Sequence, residues 1–214
     1  MGVDVKICGL TRAEDAALAA RHGAWRLGVV FAGGPRSIGV EQARDIVAAS
    51  GGVPVLGVFG RQQTAEIVTI ARAAGLAGAQ LHGDYAAADA QTLTDAGLEV
   101  WRVLPLDQHT QIAHAVAAAT AGAAAVLIEP RHADGRGGKG VPLSLDLAVA
   151  ARRAVTGRLV LAGGLVPENV TATIELVGPD AVDVSSGVEM APGIKDPARL
   201  VRFLENARAA RTSR

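Results

Sequence analysis

The chain has little of several things. Its 214 residues include one cysteine, one tyrosine, two tryptophans and three phenylalanines, and 21 basic side chains balance 21 acidic ones. A lone cysteine excludes an internal disulfide framework and fits a reducing compartment, so a cytoplasmic location is expected. Balanced charge gives no general electrostatic hold on nucleic acid or an anionic membrane, and neither is expected as a partner. No apolar run approaches the ~20 residues of a membrane span. The N-terminus lacks the basic and apolar regions of a signal peptide. No low-complexity linker or charge run divides the sequence, which reads as one domain over residues 1–214. No G-x-G-x-x-G opens the first helix and no His/Cys cluster has metal-ligand spacing, so neither a dinucleotide nor a metal is expected.

What remains is a regular alternation of short apolar runs with alanine-rich amphipathic segments. The runs are 3–8, 25–31, 53–59, 77–81, 98–104, 124–129, 158–163 and 180–185. Helical patterns lie near 13–22, 40–50, 63–74, 86–96, 108–120, 143–154, 167–176 and 196–209. Thr11 and the Pro167-Glu168-Asn169 stretch read as helix starts, and the glycines of "HGA", "AGL" and "DAG" as stops. Eight strand–helix pairs in this length predict an α/β fold with parallel strands closed as a single (β/α)8 TIM barrel. A doubly wound open sheet is the alternative.

Barrel chemistry sits at the carboxyl ends of the strands, and side-chain alternation sorts residues by face. Val3, Val5 and Ile7 of the first run should pack against helices, while Lys6 and Cys8 face the axis. The same parity points Gln80 with His82, Leu127 with Glu129, and Asp183 with Ser185 inward. Ionisable groups at such positions are costly as packing alone, and their convergence is a signal of function. Cys8 reads either as a small buried hydrophobe or as a base, with Lys6 two residues earlier favouring thiolate over thiol. Arg36, after the second strand, reads as a solvated charge or as a bidentate partner for a carboxylate. His82 reads as a hydrogen-bonding residue at the strand end. Gly163 and Gly164 after the seventh strand, with Ser185, Ser186 and Gly187 after the eighth, sit where such barrels commonly hold a phosphate. The Gly-rich "HADGRGGKG" (132–140) is long enough to act as a lid.

"KICGLT" (6–11), "QLHG" (80–83), "LAGGLVPENV" (161–170) and "VDVSSGVEMAPGIKD" (182–196) together resemble the phosphoribosylanthranilate isomerase family of tryptophan biosynthesis. The resemblance implies an Amadori rearrangement of N-(5-phosphoribosyl)anthranilate to 1-(2-carboxyphenylamino)-1-deoxyribulose 5-phosphate. It implies Cys8 as general base and a general acid at the end of strand six, where the family has aspartate and this chain has Glu129. It places Arg36 on the anthranilate carboxylate, with Lys6, His82 and Asp183 among the substrate-binding residues. Gly163, Gly164, Ser185, Ser186 and Gly187 fall on the phosphate cradle. A small phosphorylated substrate is the only partner implied, with no cofactor, no metal and no obligate protein partner. Alternatives are a related aminoaldose or sugar-phosphate isomerase, and a barrel that binds a phosphorylated ligand without catalysis. Three departures stand out: Glu129, whose carboxyl reaches about 1.5 Å farther than an aspartate's; a shortened "FAGGPRSIG" loop around Arg36; and no Phe-Asp-Trp after the Gly-rich segment.

Overall fold

Eight short parallel strands pair in sequence order, and the eighth closes on the first in a computed structural model that describes residues 2–131 and 142–211. The strands are β1 (Asp4–Ile7), β2 (Arg26–Val30), β3 (Val55–Phe59), β4 (Gly78–Leu81), β5 (Glu99–Leu106), β6 (Ala125–Pro130), β7 (Leu159–Leu161) and β8 (Ala181–Val184). Helices α1 (Ala13–Arg21), α2 (Val40–Ala49), α3 (Thr64–Ala74), α4 (Ala87–Asp95), α5 (Ile112–Thr120), α6 (Leu145–Ala154), α7 (Val170–Val177) and α8 (Pro197–Ala209) follow them in turn. This is the expected TIM barrel, and the open sheet is excluded by the β1–β8 pairing. Among the described residues, no helix is long and apolar enough to cross a membrane.

Three boundaries differ from the sequence reading. Strand β7 ends at Leu161 because Gly163 and Gly164 take left-handed backbone angles, φ +95° and +67°, and turn the chain away. Thr11 does not cap α1: its hydroxyl donates to the carbonyl of Gly193, and Arg12 holds the N-cap position. The stretch after β8, expected as a loop, contains one turn of 3-10 helix (Ser186–Val188) and a hairpin, β9 (Glu189–Ala191) with β10 (Ile194–Lys195).

Strand parity builds two cores. Outward residues such as Val5, Ile7, Leu27, Val29, Leu81 and Val182 pack with the helices in one large cluster. Inward residues Leu56, Trp101, Ala125, Leu127, Val160, Ala162 and Ala181 fill the barrel itself. Its amino-terminal end is plugged by Trp101, which is fully buried, stacks on Trp25 with centroids 5.6 Å apart, and donates from Nε1 to Glu99 at 2.7 Å. Arg26 and Arg158 lie over the Trp25 ring and pair with Glu99 and Asp4, so ion pairs close the floor.

Truncating so large a fully buried aromatic typically costs about 3–5 kcal/mol. For a chain of this length that is a Tm loss on the order of 10 °C. Trp101→Ala should show that loss in a thermal melt; a melt within a degree of wild type would mean that the floor carries no stability.

Candidate active site

Above the apolar floor, the next inward layer is polar. Lys6 is fully buried, and its ammonium donates to Asp183 and to Gln80, each at 2.9 Å. Residues on β1, β8 and β4 are thereby tied across the axis. Burial alone would lower the Lys6 pKa, but attraction to Asp183 and then Cys8 holds it above its ordinary value. Asp183 lies above the ordinary carboxylate range chiefly because it is buried; Lys6 opposes this, and the nearby charge of Glu129 adds to it. Lys6 has no exposed surface, and the groups it holds, Asp183 and Gln80, are themselves buried.

Cys8 lies one layer higher. A Cβ added to Gly28 would lie 2.8 Å from its sulfur and 3.0 Å from Lys6 Cε, so the absence of a side chain on β2 makes room for both. The expectation that Lys6 lowers the thiol pKa needs correction. Burial raises it by more than Lys6 lowers it, and Asp183 adds to the rise, so the net shift is upward.

Glu129, on β6, and His82, just after β4, meet with Nε2 and Oε1 2.6 Å apart. The hydrogen bond that Glu129 accepts raises the His82 pKa despite burial, which favours a proton held between the two. Pro130, the last residue of β6, packs against Gly163, where a Cβ would lie 2.3 Å from its Cδ.

Two loops converge on the same rim. A Cβ on Gly187 would lie 1.8 Å from the Leu165 carbonyl oxygen, so the loops after β7 and β8 touch through that glycine. Asn169 braces the first of them, accepting from Val166 N–H at 2.9 Å and donating to the Gly164 carbonyl at 3.0 Å. Among the described residues the N–H groups of Gly163, Gly164 and Gly187 have no acceptor, and the buried Ser185 hydroxyl has no partner. Ser186 opens the 3-10 turn beside them. This is a set of orphan donors suited to an anion.

Arg36 is not a free surface charge. Its Nε and Nη2 grip Glu189 at 2.7–3.1 Å, and its stem crosses Gly9, where a Cβ would lie 2.6 Å from Cδ. Gly9 therefore has to lack a side chain as well as adopt φ +68°. Glu189 also accepts from the fully buried Lys195 at 2.8 Å. Sequence reasoning assigned no role to Glu189 or Lys195, although both stand inside "VDVSSGVEMAPGIKD"; an acid and a lysine flanking a tight turn were the available signal. The lid expected at 132–140 lies outside the described residues.

The comparisons with known proteins fit this geometry. A family model described as "PRAI: N-(5'phosphoribosyl)anthranilate (PRA) isomerase" matches residues 5–206. The chain belongs to the phosphoribosylanthranilate isomerase family. A relative named N-(5'-phosphoribosyl)anthranilate isomerase from Pseudomonas aeruginosa is 40% identical over 211 residues, covering 98% of this chain and 97% of the relative. One from Rubrobacter xylanophilus is 37% identical, covering 96% and 98%. The phosphoribosyl anthranilate isomerase of Thermus thermophilus superposes with a TM-score of 0.86 at 34% identity, covering 98% of this chain and 100% of that one. Another phosphoribosyl anthranilate isomerase, solved in complex with reduced 1-(o-carboxyphenylamino)-1-deoxyribulose 5-phosphate, superposes at 0.84 with 31% identity, covering 97% and 99%. Membership in the phosphoribosylanthranilate isomerase family makes the chain an isomerase of tryptophan biosynthesis.

Because Cys8 is the only cysteine, thiolate absorbance near 240 nm reports on it alone. In the empty protein the titration should rise above the ordinary thiol range, and Lys6→Met should move it higher still. A midpoint below that range would show that Lys6 outweighs burial.

Proposed function

We propose that the barrel isomerises N-(5'-phosphoribosyl)anthranilate to 1-(2-carboxyphenylamino)-1-deoxyribulose 5-phosphate, with Glu129 as general acid and Cys8 as general base. The observation that carries this reading is the 2.6 Å contact of Glu129 with His82, together with a Cys8 thiol beside Lys6 of the buried Lys6–Asp183 pair. A carboxyl sharing a proton with an imidazole is suited to giving that proton up, and a thiol at a strand end is held rigidly enough to take one from carbon.

The steps follow from these roles. Glu129 gives a proton to the ribose ring oxygen as the bond from that oxygen to C1 breaks. The nitrogen lone pair forms the C=N bond of a protonated Schiff base. His82, whose pKa is raised by Glu129, supplies a proton to the acid from behind. The Schiff base brings positive charge beside the sulfur, which offsets the burial that disfavours thiolate. Cys8 then removes the C2 proton, the pair collapses to an enolamine, and protonation at C1 with loss of the C2 hydroxyl proton yields the ketone.

Binding follows from the same layout. The phosphate lies on the N–H groups of Gly163, Gly164 and Gly187, with Ser185 and Ser186 beside them. Arg36 takes the anthranilate carboxylate. Asp183, held by Lys6, orients the nitrogen end of the substrate. Isomerisation here consumes no electrons, so no redox partner enters the balance.

Loss of phosphoribosylanthranilate fluorescence with purified protein tests the reaction. Cys8→Ala and Glu129→Gln should each lower kcat by about 10²–10⁴-fold with the fold intact, whereas Glu129→Asp should retain partial activity. Full turnover in the Cys8→Ala variant would remove the base from this scheme; normal turnover in Glu129→Gln would move the acid elsewhere. Because the base works only as thiolate and its pKa is shifted upward in the empty protein, kcat/KM should climb with pH beyond neutrality. A profile flat from neutrality upward would contradict that sign.

A further inference from the structure

The scheme above leaves two buried ionised groups unused, Glu189 and Lys195, and both belong to the β9–β10 hairpin inserted between β8 and α8. Lys195 has no exposed surface. Its ammonium donates to the Cys8 carbonyl at 2.6 Å, the Ser185 carbonyl at 3.1 Å and Glu189 Oε1 at 2.8 Å, so all three protons are placed. Its own N–H donates to Asp15 at 3.1 Å, and Asp15 is in turn gripped by Arg12. One lysine is thus registered against the carboxyl ends of β1 and β8, the two strands that carry the proposed base and part of the phosphate cradle.

Glu189 passes that registration on. Its carboxylate is almost wholly buried, with 5% of the side chain exposed, and it receives Lys195, the Gly193 N–H at 3.3 Å, and the Nε and Nη2 of Arg36. A guanidinium has two bidentate edges. Glu189 occupies the side edge, formed by Nε and Nη2, and leaves the end edge of Nη1 and Nη2 available; Nη1 has no acceptor among the described residues.

We propose that Glu189 is a positioning residue that presents the end edge of Arg36 to the substrate's aromatic carboxylate, with Lys195 as its fixed anchor. This rests on the reading of Arg36 given above. An unheld arginine loses rotamer freedom when it closes on a ligand, and one already gripped on its other edge does not. Glu189 also sets where the carboxylate is read relative to Cys8 and the phosphate loops, since all three are tied to one ammonium. That makes it a determinant of specificity for a carboxylate at one distance from the phosphate.

The test is a double-mutant cycle in the fluorescence assay, with wild type, Glu189→Gln, Arg36→Ala and the double variant, alongside competition by inorganic phosphate. The glutamine amide oxygen in place of Oε1 still accepts from Lys195 and from Arg36 Nε, while its NH₂ cannot accept from Arg36 Nη2. Glu189→Gln should raise KM about tenfold, the cost of one charge-assisted contact, with kcat and phosphate competition within about twofold of wild type. In the Arg36→Ala background it should add nothing. Unchanged KM, a matching fall in kcat and phosphate affinity, or a full extra cost in the double variant would each overturn the proposal. An inactive wild type would overturn the reaction assignment instead, and an Arg36→Ala variant with normal KM would overturn the role of Arg36 and this inference with it.

Discussion

An ion pair in the middle of a barrel governs the rest of this structure. Lys6 and Asp183, joined by Gln80, occupy a layer that branched apolar side chains usually fill in barrels of this kind. Taking two charges out of water is expensive, and removing one partner of such a pair typically costs about 3–5 kcal/mol because the other is left uncompensated. The arrangement holds because the ammonium has both Asp183 and Gln80 as acceptors and because β1, β8 and β4 are already bound together by the closed sheet. Below it, the chain is packed and inert around Trp101 and Leu127. Above it, the inward side chains include Cys8, His82 and Glu129.

Cys8 and Glu129 answer to different neighbours. Cys8 feels burial first and Lys6 second, so its proton is held. Glu129 is engaged with His82, whose affinity for a proton it raises. Glu129 reaches farther than the family's aspartate would, and the imidazole of His82 is what its carboxyl meets. Pro130 against Gly163 fixes the strand end from which it reaches.

Much of this was legible in the sequence because parallel strands obey a period of two. Once "VKIC" is taken as a strand, Lys6 and Cys8 must share a face, and the same parity puts Gln80, Glu129 and Asp183 with them. Gly75, Gly163, Gly164 and Gly178 all take left-handed angles, where a glycine is least strained. Three features were not legible. The thiol shift depends on the balance between burial and a charge already spoken for, and no spacing reports that balance. The β9–β10 hairpin has strands of three and two residues, too short for any periodicity to register. The Arg36–Glu189 contact joins residues 153 apart in sequence, and only closure of the barrel brings them together.

The most direct measurement is a crystal structure of this protein with a reduced product analogue of the kind bound in its solved relative. Cys8 Sγ should stand within about 3–3.5 Å of the sugar's C2, with Glu129 on the opposite side of the sugar chain, the phosphate on the glycine loops, and the carboxylate on the end edge of Arg36 while Glu189 keeps the side edge. A ligand whose C2 lies out of reach of the sulfur, with Glu129 turned away from the sugar, would contradict the two-sided chemistry on which everything above the ion pair depends.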